Sequence, residues 1–312
     1  MRARWRCAST SASARGAVLP ARSARLQGLG FLLLTTIGWG VHWPVLRLIV
    51  SELPPFSFRA VSCIAGACFA FSIAALAGER LRVPRGQWRT LLISTTLNLT
   101  SFMAFSTLAV RYLGASEAVI VVYTFPLWAT LLSWPLLGER LTLPRMAALV
   151  LGLGGGVVLM AHGASAAPAG YRPLLGAACG LSSAVLFALG AVLTKRRPLL
   201  MPPIAAVAWQ VGLATIPLAI VALTETPDWA AVDLPGWLGC LYSCTIPLVL
   251  CYVTWFRALR LLPASTASIG SLLVPVIGVF AAAASLGEPL GLRQIAALGL
   301  TVGGVALAAL TR

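Results

Sequence analysis

Arg59 is the residue whose type and setting point most directly to chemistry. It stands about five residues inside an otherwise apolar segment, and a permanent guanidinium at such depth needs water, a carbonyl or an anion beside it. Two fates fit: binding a carboxylate delivered from solution, or snorkelling to the headgroups. His42 is the one central residue of a type that ordinarily titrates near neutral pH, which suggests either a proton carrier or a neutral side chain hydrogen-bonded between helices. Trp39 and Trp43 flank it as aromatic walls, although Trp43 equally suits an interfacial belt. Asn98, Tyr123, Trp209, Gln210 and Ser271 are the other polar or amphipathic side chains expected near segment centres. With Trp39, His42 and Arg59 they form the candidate substrate-binding set. Pro126, Pro247 and Pro275 are the candidate kink or gating positions, because a proline within a helix frees a carbonyl and either permits bending or fixes a kink.

Covalent and cofactor chemistry finds no footing in the same residues. There is no phosphate-binding G-x-x-x-x-G-K-[ST], no H-E-x-x-H, and no nucleophile beside a base, so neither a metal nor a cofactor is expected. The acids are scattered, and His42 and His162 have no evident Ser partner, which disfavours an intramembrane enzyme. Cys63, Cys68, Cys179, Cys240, Cys244 and Cys251 lie in apolar windows without a C-x-x-C pair and read as small packing residues.

The elements that hold these residues follow from composition. Of 312 residues 59% are hydrophobic and only 10% charged, too little polar surface for a water-soluble globule of this size. Ten stretches contain no Asp, Glu, Lys or Arg: 26–46, 60–78, 90–110, 118–138, 146–171, 173–194, 198–224, 234–256, 261–287 and 294–311. A helix needs roughly 20 such residues to cross a bilayer. Continuous apolarity, without alternation over about ten residues, argues against a barrel. The +15 net charge is not interleaved with aromatics on polar segments, so nucleic acid is not an expected partner. The basic residues instead sort by side. With the N-terminus inside, cytoplasmic segments hold 18 of them, against Arg47, Arg111, Arg172 and Arg293 outside. This predicts an all-α integral membrane protein with ten transmembrane helices, N-in and C-in.

Residues 1–25, rich in Arg, Ser and Ala without an acid, are expected to be a disordered basic tail; a transit peptide or a misassigned start are the alternatives. Beyond them the chain repeats itself. At an offset of 149 Arg111 meets Arg260, Ser116 meets Ser265, Pro126 meets Pro275, and Gly138-Glu139 meets Gly287-Glu288. At an offset of 150 Gly30 and Gly40 meet Gly180 and Gly190. The units are 26–165 and 173–312, each with five helices. Because five is odd, the second copy enters the membrane from the opposite side, giving inverted repeats.

The paired "FPLWATLLSWPLLGERL" and "VPVIGVFAAAASLGEPL", together with "WFRALRLLPASTAS", resemble the drug/metabolite transporter superfamily, specifically its ten-helix EamA-domain members. The resemblance covers about 26–311. It implies a secondary transporter that exports or exchanges a small metabolite, an amino acid or related compound, across a bacterial inner membrane by alternating access. A channel or scaffold is the alternative. Glu139 and Glu288, at helix ends, are expected to cap or form salt bridges. Gly152-x3-Gly156, Gly176-x3-Gly180 and Gly299-x3-Gly303 allow close helix approach, within the fold or in a homodimer.

Overall fold

The computed structural model describes residues 21–138, 142–160, 171–262 and 270–310. The expected tail falls mainly on residues 1–20, outside the described residues, while residues 21–25 already form the first turns of a helix. Every regular element among the described residues is helical. The first half contains α1 (Ala21–Glu52), α2 (Pro55–Leu76), α3 (Trp88–Leu113), α4 (Ala115–Leu137) and α5 (Leu143–Met160). The second contains α6 (Pro173–Arg196), α7 (Pro203–Ala222), α8 (Leu234–Leu261), α9 (Leu273–Leu286) and α10 (Leu292–Leu310). Seven of these ten are long and apolar enough to cross a bilayer; α5, α9 and α10 contribute shorter apolar stretches.

Helix ends fall where the local chemistry requires them. Prolines open α2, α6 and α7, where the missing N–H would have had no intrahelical partner. Asp233 caps α8 by accepting from the Gly236 N–H at 2.7 Å. Gly138 and Gly287, equivalent in the two halves, end α4 and α9 in the left-handed region at φ 72° and 64°. Leu76, Leu223 and Leu292 are more than four-fifths exposed, as suits side chains that face lipid.

Two pairs of equivalent helices, α5 with α10 and α2 with α7, pack closely against each other and run antiparallel. In α5 and α10 a Cβ on Gly304 would stand 2.5 Å from the Gly152 nitrogen, and one on Gly155 would stand 2.7 Å from the Ala297 carbonyl. Advancing along α5 therefore means retreating along α10. The pair α2 and α7 behaves likewise. Glu79, just past α2, accepts from the Ala205 N–H at the start of α7 (2.7 Å); Glu225, just past α7, accepts from the Ser57 N–H at the start of α2 (2.6 Å). The largest pairings of α1 and α6 exchange under the same operation: α1 packs on α8 and α9 as α6 packs on α3 and α4. The two halves are thus inverted repeats, and the glycines at these crossings serve packing within the chain.

Two features were not expected. Alpha-helical geometry loosens to a π segment in α3 over Thr95–Thr100 and in α8 over Ile246–Leu250. Asn98 and Pro247, matched by the repeat, sit inside these segments. Helix α4 is broken at Tyr123-Thr124, so that Pro126 is the second residue of its Phe125–Leu137 half. Pro275 similarly lies at the third position of α9, after a turn at Ser271-Leu272. Both prolines therefore open a helical segment, where they remove no hydrogen bond, instead of kinking a continuous one.

Candidate functional site

A cavity of about 140 Å³ lies between the halves. Helix α1 presents Trp39, His42 and Trp43 to it, α2 contributes Arg59, the break in α4 contributes Tyr123 and Phe125, and the π segment of α8 contributes Pro247. Further lining comes from Phe102, Met103 and Ser106 of α3, Phe187 of α6 and Tyr252 of α8. The wall is mostly aromatic: Phe187 meets Phe125 edge-on at 4.9 Å and Phe102 at 5.3 Å, while Tyr123 stands edge-on to Trp43 at 6.2 Å.

Arg59 is 4% exposed and turns into the protein. Its Nε donates to the Thr107 hydroxyl, and its guanidinium lies 5.2 Å from the centre of the Phe58 ring. Among the described residues no carboxylate pairs with it. The acids are held elsewhere. Glu288 accepts from the Ala115 and Ser116 N–H groups, both at 2.8 Å, and so caps α4. Glu117 accepts from Tyr171 at 3.0 Å and from Arg293 at 3.3 Å. Glu79, Glu225 and Asp233 cap helices as described above. Glu139, the other expected capping residue, lies outside the described residues.

The tie between α1 and α8 shapes the cavity wall. Trp39 donates its indole N–H to the Pro247 carbonyl at 3.1 Å, and Tyr242 donates its hydroxyl to the Gly38 carbonyl at 2.7 Å. In the π segment the Cys251 N–H donates to the Ile246 carbonyl, five residues back, and so leaves the Pro247 carbonyl for the indole. His42 has a long contact, 3.5 Å, between Nδ1 and the Ser243 hydroxyl, and its ring stacks against Tyr242.

The cavity thus brings together Trp39, His42, Arg59, Tyr123 and Pro247. It does not include the other sequence candidates. Asn98 points to α6, where a Cβ on Gly190 would clash with its side-chain oxygen, an atom that is buried without a hydrogen bond. Trp209 donates to the Leu81 carbonyl at 2.6 Å and packs edge-on against Phe71 and Trp88, anchoring α7 to the link between α2 and α3. Gln210 donates to Ser94 at 3.3 Å. Ser271, Pro126 and Pro275 are at the helix starts described above, outside the lining. Sequence reasoning missed Phe102, Met103, Ser106, Phe125, Phe187 and Tyr252. Only Tyr252, with a hydroxyl five residues past Pro247 in an apolar run, carried a usable signal.

Residues 26–161 and 174–310 each match the model of the EamA-like transporter family. An uncharacterized transporter, YvbV of Bacillus subtilis, is 28% identical over 277 residues, 88% of this chain and 89% of its own. The aromatic amino acid exporter YddG of Ancylobacter novellus is 28% identical over 298 residues, covering 92% and 97%. A probable amino-acid metabolite efflux pump of Salmonella typhimurium is 26% identical over 288 residues, covering 88% and 93%. One solved crystal structure superposes with a TM-score of 0.63 at 25% identity, over 93% of this chain and 97% of that one.

Proposed function

The chain belongs to the EamA-like transporter family of integral membrane proteins, and we propose that it is an alternating-access carrier for a small carboxylate with an apolar or aromatic body, such as a neutral amino acid. It sits in a bacterial inner membrane with both termini inside, by the distribution of its arginines, and exports or exchanges its substrate. The observation that carries this reading is Arg59: a buried guanidinium without a carboxylate partner among the described residues, on the wall of a mostly aromatic cavity. A charge held there without a protein counterion suits an anion that arrives and leaves. The cavity volume favours a metabolite over larger molecules, for which pockets run to about 300–1,000 Å³. The aromatic walls suit an apolar body, and the names of two relatives point to amino-acid efflux.

Charge discrimination tests this reading. Cells expressing the protein and loaded with phenylalanine, leucine and their amides should export the carboxylates in preference to the amides. Equal export of acid and amide would contradict the assignment.

A further inference from the structure

Two arginines cross between α1 and α3 on one face of the molecule. The Arg47 Nη1 donates to the carbonyls of Val110 (3.1 Å) and Arg111 (2.8 Å), and the Arg111 Nη1 donates to the carbonyl of Val50 (2.9 Å). Each side chain therefore satisfies the terminal carbonyls of the other's helix through charge-assisted bonds. In keeping with this tie, α1 packs against the C-terminal half of α3.

The inverted repeat places matching residues on the opposite face, with Arg197 and Leu200 just past the end of α6 where Arg47 and Val50 lie in the last turns of α1. The offset of 150 that matches Gly40 with Gly190 carries Arg47 onto Arg197 and Val50 onto Leu200. The offset of 149 carries Val110 onto Leu259 and Arg111 onto Arg260. Here the parts are apart. Arg197 and Arg260 are exposed and make no hydrogen bond with their side chains among the described residues, and α6 has no packing on α8 comparable to that of α1 on α3. The Leu259 carbonyl also lacks its helical donor, because the residue four positions on is Pro263, which has no N–H. Basic residues at helix C-termini are commonplace. What distinguishes this pair is that its repeat-related twin is engaged and reciprocal.

We infer that Arg197 and Arg260 form a second latch when the first opens: Arg197 on the Leu259 and Arg260 carbonyls, Arg260 on the Leu200 carbonyl. The two latches are mutually exclusive and set the balance between the two access states. This structure is then the state closed on the Arg47 face, the outer face in the orientation proposed above. The inference rests on the alternating-access reading and deepens it.

The test reads access to the cavity, not transport. A Ser106→Cys probe on the cavity wall is labelled with a membrane-impermeant maleimide in right-side-out and in inside-out vesicles, above the labelling of the protein without it. R47A/R111A should shift the ratio toward the Arg47 face, and R197A/R260A toward the Arg197 face, each by about tenfold. R260Q alone replaces the double variant if that does not insert, with a smaller shift in the same direction. Labelling from both faces in the parent, with R197A/R260A or R260Q unchanged or shifted as R47A/R111A is, overturns the latch and leaves the carrier standing. Labelling from one face only in every variant removes both.

Discussion

Arg59 and Thr107 meet side by side in the core: the guanidinium Nε donates to the Thr107 hydroxyl, which in turn donates to the Met103 carbonyl. Because that hydroxyl proton is committed to the backbone, Thr107 can only accept from Arg59. The contact fixes one edge of the guanidinium on α3 and leaves the opposite edge for the cavity.

Arg59→Gln should therefore lower kcat/KM for a carboxylate substrate by about ten- to a hundredfold, the scale of a charge-assisted hydrogen bond. Arg59→Lys should recover only part, since an ammonium lacks the planar fork. Thr107→Val should raise KM severalfold by releasing the guanidinium. Transport kinetics on protein that elutes as a single species measure all three.

Trp39→Phe keeps an aromatic wall but removes the donor to the Pro247 carbonyl. With α1 released from the π segment of α8, the turnover rate should fall more than the affinity for substrate. Comparing kcat with KM in the same vesicles checks this; an effect on KM alone would assign Trp39 to substrate contact.

The carboxylates that cap partner helices bear on stability. Glu79→Gln and Glu225→Gln each weaken a cap joining α2 and α7 and should cost about 1 kcal/mol, seen as a lower melting temperature in detergent with KM unchanged. Gly304→Leu should be far more damaging, because even its Cβ would press on the backbone of Gly152 at 2.5 Å.

Much of the fold was legible because a charge is costly in lipid: most charge-free stretches mark a helix to within about six residues, although α1, α2 and α8 run on past theirs and α9 fills only the second half of 261–287. The odd number of spans in each copy gave the inversion, which the antiparallel pairs α5 with α10 and α2 with α7 display. The site was legible only where polarity contrasts with its surroundings. Arg59 and His42 stand out in apolar helices, whereas Phe102, Met103 and Phe187 look like any lipid-facing or packing residue. Trp209 misled for a related reason. An indole in an apolar helix suits a cavity wall or an anchor at the helix end equally, and the Leu81 carbonyl that decides between them lies 128 residues away in sequence. The π segments left a trace only as Asn98 matched with Pro247, a polar residue and a helix breaker at equivalent positions.

The most direct test of the carrier itself is counterflow in proteoliposomes. Vesicles loaded with unlabelled phenylalanine should take up labelled phenylalanine transiently above equilibrium, with saturation, and Arg59→Gln vesicles should not. Uptake that rises linearly with concentration, shows no stimulation by internal substrate, and is the same in Arg59→Gln would contradict a substrate site that opens alternately to the two faces.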